Sequence, residues 1–439
     1  NNKPVYDQYG DSIGSKKYKM GMVFRCDPDG SNVERMAHNF RNNYEICVDS
    51  YGTMWQSDND DDGNRGVRIN YVMDYGNYGY VDEMTGGWWS ETRTNMEDSI
   101  PYRHWHLNDP GVVPNLLQTG SGSPTGIIVY EGNLLPEKFQ NQIIHCEPGH
   151  NVVRAYPVKK DGAGYSATIE NILEGEFDQW FRPSDICVAP DGSLIVADWY
   201  DPVVGGHDAK DKESGRIYRI APKGAAYKMP KFDYSTVEGA VSALQNPNLY
   251  VRRQAWTALQ GFGAKAVPAL EQLWKSAEND RMKARAFWAL VKMPGGDKYI
   301  ADAIKSLNPD IRIAGLRAAR ELNSNVIGVI TQLVNDKDPQ VRRECALALH
   351  FNKSPEAPKL WAELAAQHDG KDRWYLEALG IGAADQWDNF FAAYLQKVPD
   401  PLQSAAGKDI VWRARTDKSL PFLVKLATDE STGLKSRLR

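Results

Sequence analysis

The chain has 439 residues, 42% of them hydrophobic, with 52 basic and 57 acidic side chains and a net charge of −5. That length predicts more than one domain, and the lack of a basic excess argues against nucleic acid as the main partner. No apolar run is long enough to span a bilayer. No Cys-x-x-Cys-His is present, so a covalent c-type haem would have to lie on a segment outside this chain.

Short apolar runs separated by turns fill residues 1–225. Repeated units of this kind are typical of the blades of a β-propeller. Because only about three units are visible, we predict a partial β-propeller whose missing blades lie upstream or on another chain. In the first and third units, Gly52 and Asp191-Gly192 stand where a hairpin turn is needed. The three units cover residues 41–58, 123–146 and 182–198.

An acidic run, Asp58-Asn-Asp-Asp-Asp62, ends the first unit and precedes Gly63. Asp58, Asp60 and Asp62 alternate, and the glycine after them allows a turn in which oxygen ligands converge on a hard cation such as Ca²⁺. The closing glutamate of an EF-hand is missing, since the twelfth position is Ile69. We therefore predict Ca²⁺ binding without EF-hand geometry. The alternative is a solvated turn, which Asp and Asn also favour.

Two histidines in the middle of the first half form a second candidate site. His104 and His106, two positions apart, would share one face of a strand and act as metal ligands or as a catalytic base. The alternative is a hydrogen-bonded loop packed around Trp105, since no third ligand is placed by the sequence. Trp88 and Trp89 would stack on a sugar ring or pack within a blade.

Charged residues at the edges of the units are candidates for a common site. Arg182 and Asp198 flank the third unit as Arg41 and Asp58 flank the first. Such residues would either line a central funnel or tie the blades together by ion pairs, and the sequence does not choose between these interpretations.

The period of the sequence changes after about residue 230. Alanine-rich helical segments recur at roughly 30-residue spacing, which predicts a linker over 226–235 and a HEAT-like α-solenoid over 236–439. Asn or Asp together with Pro precedes several of the helices, as expected for an N-cap and a first turn. We interpret the recurrent arginines as residues that lie on solvated helix faces and form ion pairs between repeats, rather than as a stripe that binds phosphate. The solenoid is expected to dock a protein partner.

Four segments carry a family resemblance, at residues 40–73, 103–115, 120–126 and 197–207. With them the chain resembles the membrane-bound dehydrogenases of planctomycete and verrucomicrobial bacteria. In that family, a propeller similar to soluble quinoprotein glucose dehydrogenase is followed by HEAT repeats and often by a c-type haem domain. The resemblance implies that residues 1–225 are the C-terminal blades of a six-bladed propeller. It also implies a periplasmic or envelope location.

The resemblance further implies roles for individual residues. Arg41 and Asn42 match the start of the blade that faces the cofactor, where Arg41 would pair with the carboxylates of pyrroloquinoline quinone (PQQ). If Arg182 and Asp198 line the same funnel rather than tie blades together, they are further candidates for cofactor binding. The loop from Asp58 stands where that enzyme has its cofactor-proximal calcium loop. Nothing matches the catalytic histidine of the family, so the base is expected outside this chain.

From these residues and the resemblance we expect part of a quinoprotein-like dehydrogenase. It would oxidise a sugar or alcohol and pass electrons to a redox partner or haem domain. His106 is the candidate for a catalytic role within this chain. The alternative is a non-catalytic module, in which a Ca²⁺-stabilised propeller and solenoid bind a protein or glycan partner.

Overall fold

The computed structural model describes Tyr6 and residues 20–59, 65–120, 122–202, 204 and 213–438. Within these ranges, β-strands occupy the chain as far as Ile220, and α-helices follow from Val237. The prediction of a mixed β and α protein with its strands first is therefore confirmed. In the part of the chain that the structure describes, no helix is both long enough and apolar enough to cross a membrane.

The strands of the first half are short, as expected for blades. They are β1 Gly21–Arg25, β2 Glu34–Phe40, β3 Asn42–Val48, β4 Met54–Asn59, β5 Val67–Val72, β6 Gly76–Asn77, β7 Leu117–Gly120, β8 Ile127–Tyr130, β9 Gln142–Glu147, β10 Val152–Tyr156, β11 Val158–Asp161, β12 Gly164–Ala167, β13 Glu170–Glu174, β14 Pro183–Val188, β15 Leu194–Asp198 and β16 Arg216–Ile220.

Four of the sheets follow one another along the chain. Their strand orders are β1-β2-β6 (blade 1), β3-β4-β5-β7 (blade 2), β8-β9-β10-β13 (blade 3) and β14-β15-β16 (blade 4). Strand β3 contacts both β1 and β8, and β8 contacts β14, so the first strands of the four sheets lie side by side. This propeller-like arrangement places equivalent residues of each blade at the same end.

Blade 1 is not among the three units predicted from the sequence. Its central strand β2 buries Glu34 and Arg35, so the apolar alternation that marks a strand is hidden by polar residues. The hairpin turns of blades 2 and 4 agree with prediction. Gly52 and Gly192 adopt left-handed backbone with φ of 84° and 88°, which suits glycine because it has no Cβ.

The second half consists of helices, and one short helix lies in the first half. The helices are α1 Ile100–Arg103, α2 Val237–Leu244, α3 Leu249–Phe262, α4 Val267–Ser276, α5 Asp280–Val291, α6 Asp297–Ala303, α7 Pro309–Glu321, α8 Val326–Leu333, α9 Pro339–Ala348, α10 Ala357–Ala365, α11 Arg373–Gly382, α12 Trp387–Lys397, α13 Ala405–Arg413, α14 Leu420–Thr428 and α15 Leu434–Leu438.

The helices from α2 to α13 alternate between two layers. The layer of α3, α5, α7, α9 and α11 carries side chains that contact the first half of the chain, and Arg415, just after α13, does so as well; the helices between them pack behind. Asn308 and Asp338 accept hydrogen bonds from the first turns of α7 and α9, and Pro309 and Pro339 begin those helices. The predicted N-caps are thus confirmed, while the assignment to HEAT repeats stays a prediction.

The helices dock on the hairpin end of the blades, and one buried carboxylate organises the contact. Glu131 accepts hydrogen bonds from Arg252, Arg281 and Arg285 at 2.7, 2.6 and 2.9 Å, and from the Ser50 hydroxyl at 2.7 Å. Burial alone would raise the pKa of Glu131, but the three guanidinium groups hold it well below its usual range. Since each partner is itself largely buried, this cluster ties blades 2 and 3 to α3 and α5.

Most arginines of the inner helices reach the sheets in the same way, so the interpretation of solvated faces is wrong for them. Arg343 is fully buried, and Arg312 pairs with Asp336, in the turn between α8 and α9, at 2.7 Å. Further contacts to the sheets are Arg317 to the Tyr51 carbonyl, Arg320 to Asp74, Arg343 to the Ala163 carbonyl and Arg373 to the Asp109 carbonyl. This face of the helices is consequently covered by the blades.

Candidate functional site

Asp58 lies at the end of blade 2 opposite the helices, and its carboxylate is fully engaged by the protein. It accepts hydrogen bonds from the backbone N–H of Arg41 and Asn42 at 3.1 and 2.8 Å. Arg68, directly opposite on β5, pairs with it at 2.8 Å, and both side chains are inaccessible to solvent. Asp58 therefore closes the end of the blade, and its oxygens face protein donors.

Asp198 holds the equivalent place in blade 4. It accepts from the backbone N–H of Arg182 and Tyr200 at 2.7 and 3.0 Å, and it pairs with Arg216 of the next strand at 2.9 Å. The guanidinium of Arg182 donates to the carbonyls of Asp201 and Pro148, each at 2.9 Å. Arg182 therefore links blade 4 to blade 3 through the Pro148 carbonyl, whereas these contacts of Asp198 stay within blade 4.

Glu147, at the same position in blade 3, was not recognised from the sequence. It accepts from the backbone N–H of Ser123 and Gly149 at 2.6 and 3.2 Å. The residue opposite it on β10 is Val152, so no arginine pairs with it from that position. Its Oε2 is buried and has no hydrogen-bond partner among the described residues. Burial raises the pKa of Glu147 to about 7, which gives this blade end a carboxyl group that titrates near neutrality.

Strand register places a carboxylate at the same end of blades 2, 3 and 4. From the sequence alone, Glu147 could have been found only by comparing the units 41–58, 123–146 and 182–198. An Asp or Glu lies at or next to the end of the second strand each time, whereas the arginine of the third strand is present in blades 2 and 4 alone among these three. The pairing of strands must be known before that difference becomes visible.

Arg41 belongs to a cluster of basic and aromatic side chains beside Asp58, which we call the Arg41 cluster: Arg41, Arg68, Tyr80, His104 and Trp105. The guanidinium carbons of Arg41 and Arg68 lie 5.9 Å from the Tyr80 ring centroid and 3.5 Å from the Trp105 ring centroid, respectively. His104 packs edge-on against Trp105, with ring centroids 4.4 Å apart. The cluster therefore joins two guanidinium groups and an imidazole within a cage of aromatic rings.

The electrostatics of the cluster favour negative charge. Burial, and then the positive charges of Arg68 and Arg41, lower the pKa of His104 to about 3. His104 is consequently neutral at pH 7, mainly because it is buried, and the two nearby guanidinium groups add to that effect. Asp58 balances one of the two guanidinium groups, and Arg41 stands at the partly exposed edge of the cluster.

His106 and its neighbours lie in a turn rather than on a strand. His106 has a left-handed φ of 50°, and its Nδ1 lies 2.8 Å from the Gly79 carbonyl, to which it donates. Burial lowers the pKa of His106 to about 4. The two histidines do not share a strand face, because α1 and the turn after it carry them. Trp89 packs on His104 with centroids 5.7 Å apart, while Trp88 stays partly exposed.

The predicted calcium ligands are only partly within the described residues. Asp58 is described and paired with Arg68, whereas Asp60 and Asp62 lie outside the described residues. Among the residues that the structure describes, no three His, Cys, Asp or Glu side chains are grouped so as to hold a metal ion. Binding of Ca²⁺ stays a prediction that now depends on Asp60 and Asp62.

A family model covers the whole blade region. Residues 3–224 match the family described as "Domain of unknown function (DUF7133)", which is half of the chain. The chain belongs to this family. The match ends close to the end of β16, so the DUF7133 region is the sheet-containing part, and the helices from α2 onward lie outside it. No curated protein matches the sequence.

Several solved structures resemble part of the DUF7133 chain weakly. The soluble aldose sugar dehydrogenase of Escherichia coli in the apo form is 17% identical over 45% of this chain and 49% of its own, with a TM-score of 0.31. The PQQ-bound aldose sugar dehydrogenase of Streptomyces coelicolor is 19% identical over 46% and 52%, with a TM-score of 0.30. An oxidoreductase described as a glucose dehydrogenase, from Thermus thermophilus, is 17% identical over 42% and 47%, also with a TM-score of 0.30. The chain thus spans about half the length of these structures, and TM-scores of this size decide neither fold nor activity.

Proposed function

We propose that the blades form part of a quinoprotein-like dehydrogenase that oxidises a sugar or an alcohol. The observation that carries the proposal is the Arg41 cluster, where a neutral imidazole lies in the field of two guanidinium groups. A planar, multiply charged anion such as PQQ suits this chemistry, because carboxylates pair with guanidinium forks and flat rings stack on aromatic side chains. The segment resemblance at residues 40–73 supports the same assignment.

The residues of this chain would have distinct roles toward the cofactor. Arg41, at the exposed edge of the cluster, would pair with a quinone carboxylate, and the Asn42 side chain beside it would add a polar contact. Asp60 and Asp62 would hold the Ca²⁺ ion. Arg68 is neutralised by Asp58 and would keep the aromatic rings in position. When bound, PQQ supplies the acceptor for the two electrons that leave the substrate carbinol.

Other parts of the proposed reaction need groups that the described residues do not supply. A base would take the hydroxyl proton of the substrate, and we propose that it lies on the remaining blades. Electrons would leave through a redox partner or a c-type haem domain, in a periplasmic or envelope setting. His106 is the alternative base within this chain, although its burial means that a loop would have to move before substrate reached it.

The proposal is tested by PQQ binding to the full chain in the presence of Ca²⁺, followed by absorbance, and by dye reduction with sugars and alcohols. Replacement of Arg41 by glutamine should weaken PQQ binding about tenfold or more, since a charge-assisted hydrogen bond contributes about 1.5–3 kcal/mol. Arg253→Gln, on an exposed face of α3, is the matched control and should leave binding unchanged. Failure of the wild-type chain to bind PQQ, or equal binding by the Arg41 variant, would refute the proposal.

A second function, a non-catalytic scaffold, is favoured by the use of Asp58, Arg182 and Asp198 in contacts within the protein. In that case the blades would be a rigid module bound to the helices through Glu131. Addition of Ca²⁺ would then raise the melting temperature without any dye reduction. A Ca²⁺-dependent rise in dye reduction distinguishes the enzyme from the scaffold.

A further inference from the structure

The end of blade 3 carries a buried carboxylate that lacks the partner found in the neighbouring blades. Asp58 of blade 2 and Asp198 of blade 4 each pair with an arginine of the third strand, at 2.8 and 2.9 Å. Glu147 faces Val152 at that position, and its Oε2 is buried without a hydrogen-bond partner among the described residues. Because burial disfavours a charged carboxylate that no cation compensates, the charge state of this blade end depends on pH.

The Glu147 carboxyl joins two segments of backbone, one before β8 and one after β9. Its Oε1 accepts hydrogen bonds from the backbone N–H of Ser123 at 2.6 Å and of Gly149 at 3.2 Å. The two segments also touch directly, because a Cβ atom at Gly149 would lie 2.5 Å from the Gly122 Cα atom. A Cβ atom at Gly122 would lie 2.3 Å from Oε1 of Glu147. The backbone therefore closes over this fully buried carboxyl, and solvent reaches it only when the packing opens.

Two arginines lie near Glu147, and neither forms an ion pair with it among the described residues. Arg154, on β10, acts on Glu147 through its positive charge and favours the ionised form. Its Nε donates to Asn171 at 3.1 Å, and its Nη1 is buried with no partner in the described part of the chain. Arg182 of blade 4 donates to the adjoining Pro148 carbonyl at 2.9 Å. Neither guanidinium therefore takes the place of the arginine that pairs with the carboxylate in blades 2 and 4.

The other titratable groups around Glu147 do not change charge around pH 7. Burial lowers the pKa of two imidazoles and raises the pKa of a thiol and of a phenol, so all four groups are neutral at that pH. These groups are His145, His150, Cys146 and Tyr156. Burial raises the pKa of Glu147 itself to about 7. Among these groups, Glu147 is therefore the one that gains or loses a charge near neutrality.

We propose that Glu147 acts as a proton-operated latch, which holds the segment before β8 against the turn after β9 while it is protonated and releases the two when it is ionised. A protonated carboxyl can stay buried and accept both N–H groups. An ionised carboxyl gains free energy by meeting water, and water reaches it only when the two segments separate. Glu147 lies at the same end of its blade as Asp58, so the latch would loosen the end of the blades that carries the Arg41 cluster. The proposal does not depend on the dehydrogenase, because it concerns contacts within blade 3.

Amide hydrogen exchange of the full chain at pH 5 and pH 8 measures the opening. After correction for the intrinsic exchange rate, the protection of the Ser123 and Gly149 amides should fall about fiftyfold between these pH values. The reason is that the closed form binds the proton with a pKa of about 7 and the open form with the ordinary value of 4.5. The amides of Arg182 and Tyr200, which donate to Asp198, are the control. They should show no comparable fall, since that carboxylate has its arginine.

Two substitutions should remove the pH dependence by different routes. Glu147→Gln keeps an oxygen for both N–H groups and carries no charge, so the protection of Ser123 and Gly149 should no longer vary with pH. Val152→Arg places on β10 the arginine that blades 2 and 4 possess, so the ionised carboxylate should stay closed at both pH values. If Val152→Arg does not fold, Glu147→Gln decides alone.

Three results would overturn the proposal. One is an unchanged protection of the Ser123 and Gly149 amides in the wild type between pH 5 and pH 8. Another is an equal fall at the Arg182 and Tyr200 amides, which would mean that the whole chain, and not this blade end, loses stability. The third is a fall that persists in Glu147→Gln, since it would then come from another group.

Discussion

Replacement of Glu147 by glutamine is expected to stabilise the protein above neutral pH. Its carboxyl is fully buried at the end of blade 3, without the arginine that pairs with Asp58 in blade 2. Burial raises its pKa to about 7, from an ordinary value of 4.5. The folded chain therefore binds this proton more tightly than the unfolded chain does.

The sign and size of the effect follow from proton linkage. Between pH 4.5 and 7 the folded state holds more protons, so the free energy of unfolding falls as pH rises and then levels off above pH 7. The difference of 2.5 between the two pKa values corresponds to about 3 kcal/mol, at roughly 1.4 kcal/mol per pKa unit. Glutamine keeps an oxygen for the N–H groups of Ser123 and Gly149 and carries no charge. The free energy of unfolding of the glutamine variant should therefore exceed that of the wild type by about 3 kcal/mol at pH 8 and by almost nothing at pH 4.

Urea denaturation followed by tryptophan fluorescence at pH 4, 6 and 8 measures this difference. Asp58→Asn is the matched control with the opposite sign, because it leaves the buried Arg68 without its counter-charge, at a cost of about 3–5 kcal/mol. A Glu147 variant that is less stable than the wild type at pH 8, or a difference that does not vary with pH, would refute the reasoning.

Three further outcomes are expected. Glu131→Gln should lower the free energy of unfolding by about 3–5 kcal/mol, because three buried arginines lose their shared carboxylate; urea denaturation measures the loss, and an unchanged midpoint would contradict it. His104 should keep the NMR shifts of a neutral imidazole down to pH 5, since its pKa is about 3, and a titration near pH 6.5 would be inconsistent with its buried position. Gly79→Ala should prevent stable folding, because its φ is 71° and a Cβ would lie 2.1 Å from the Trp105 carbonyl oxygen. Gly30→Ala, with φ of 83° and open space around it, should cost only about 1–2 kcal/mol in a thermal melt.

Local features of the fold were predictable from the sequence. The turns at Gly52 and Gly192 and the caps at Asn308 and Asp338 depend on residues close together in the chain, so their residue types reveal them. Blade 1 was missed because β2 buries charged residues in place of an apolar alternation.

The candidate site was less predictable, because its contacts join distant parts of the chain. From the sequence alone, Asp58 is predicted to be a cation ligand. The register of β4 and β5 then shows that Arg68 lies opposite it. From the sequence, the arginines of the helices are predicted to face solvent. Their contact with Glu131 is not predictable, because Glu131 lies more than a hundred residues earlier in the chain. The sequence predicts Arg41 as a cofactor-binding residue, which stays a prediction, whereas the low pKa of its neighbour His104 depends on the folded surroundings.

The Glu131 cluster has a consequence for how this protein is made. Glu131 leaves the ribosome 121 residues before Arg252 and 154 before Arg285, so blade 3 is complete in sequence while its carboxylate still lacks a counter-charge. Until α5 has emerged, the hairpin end of blades 2 and 3 therefore stays exposed to solvent, and chaperones have access to it. A chain cut at residue 225 would keep that end exposed permanently, so we expect the blade region to be more stable when it is produced together with the helices.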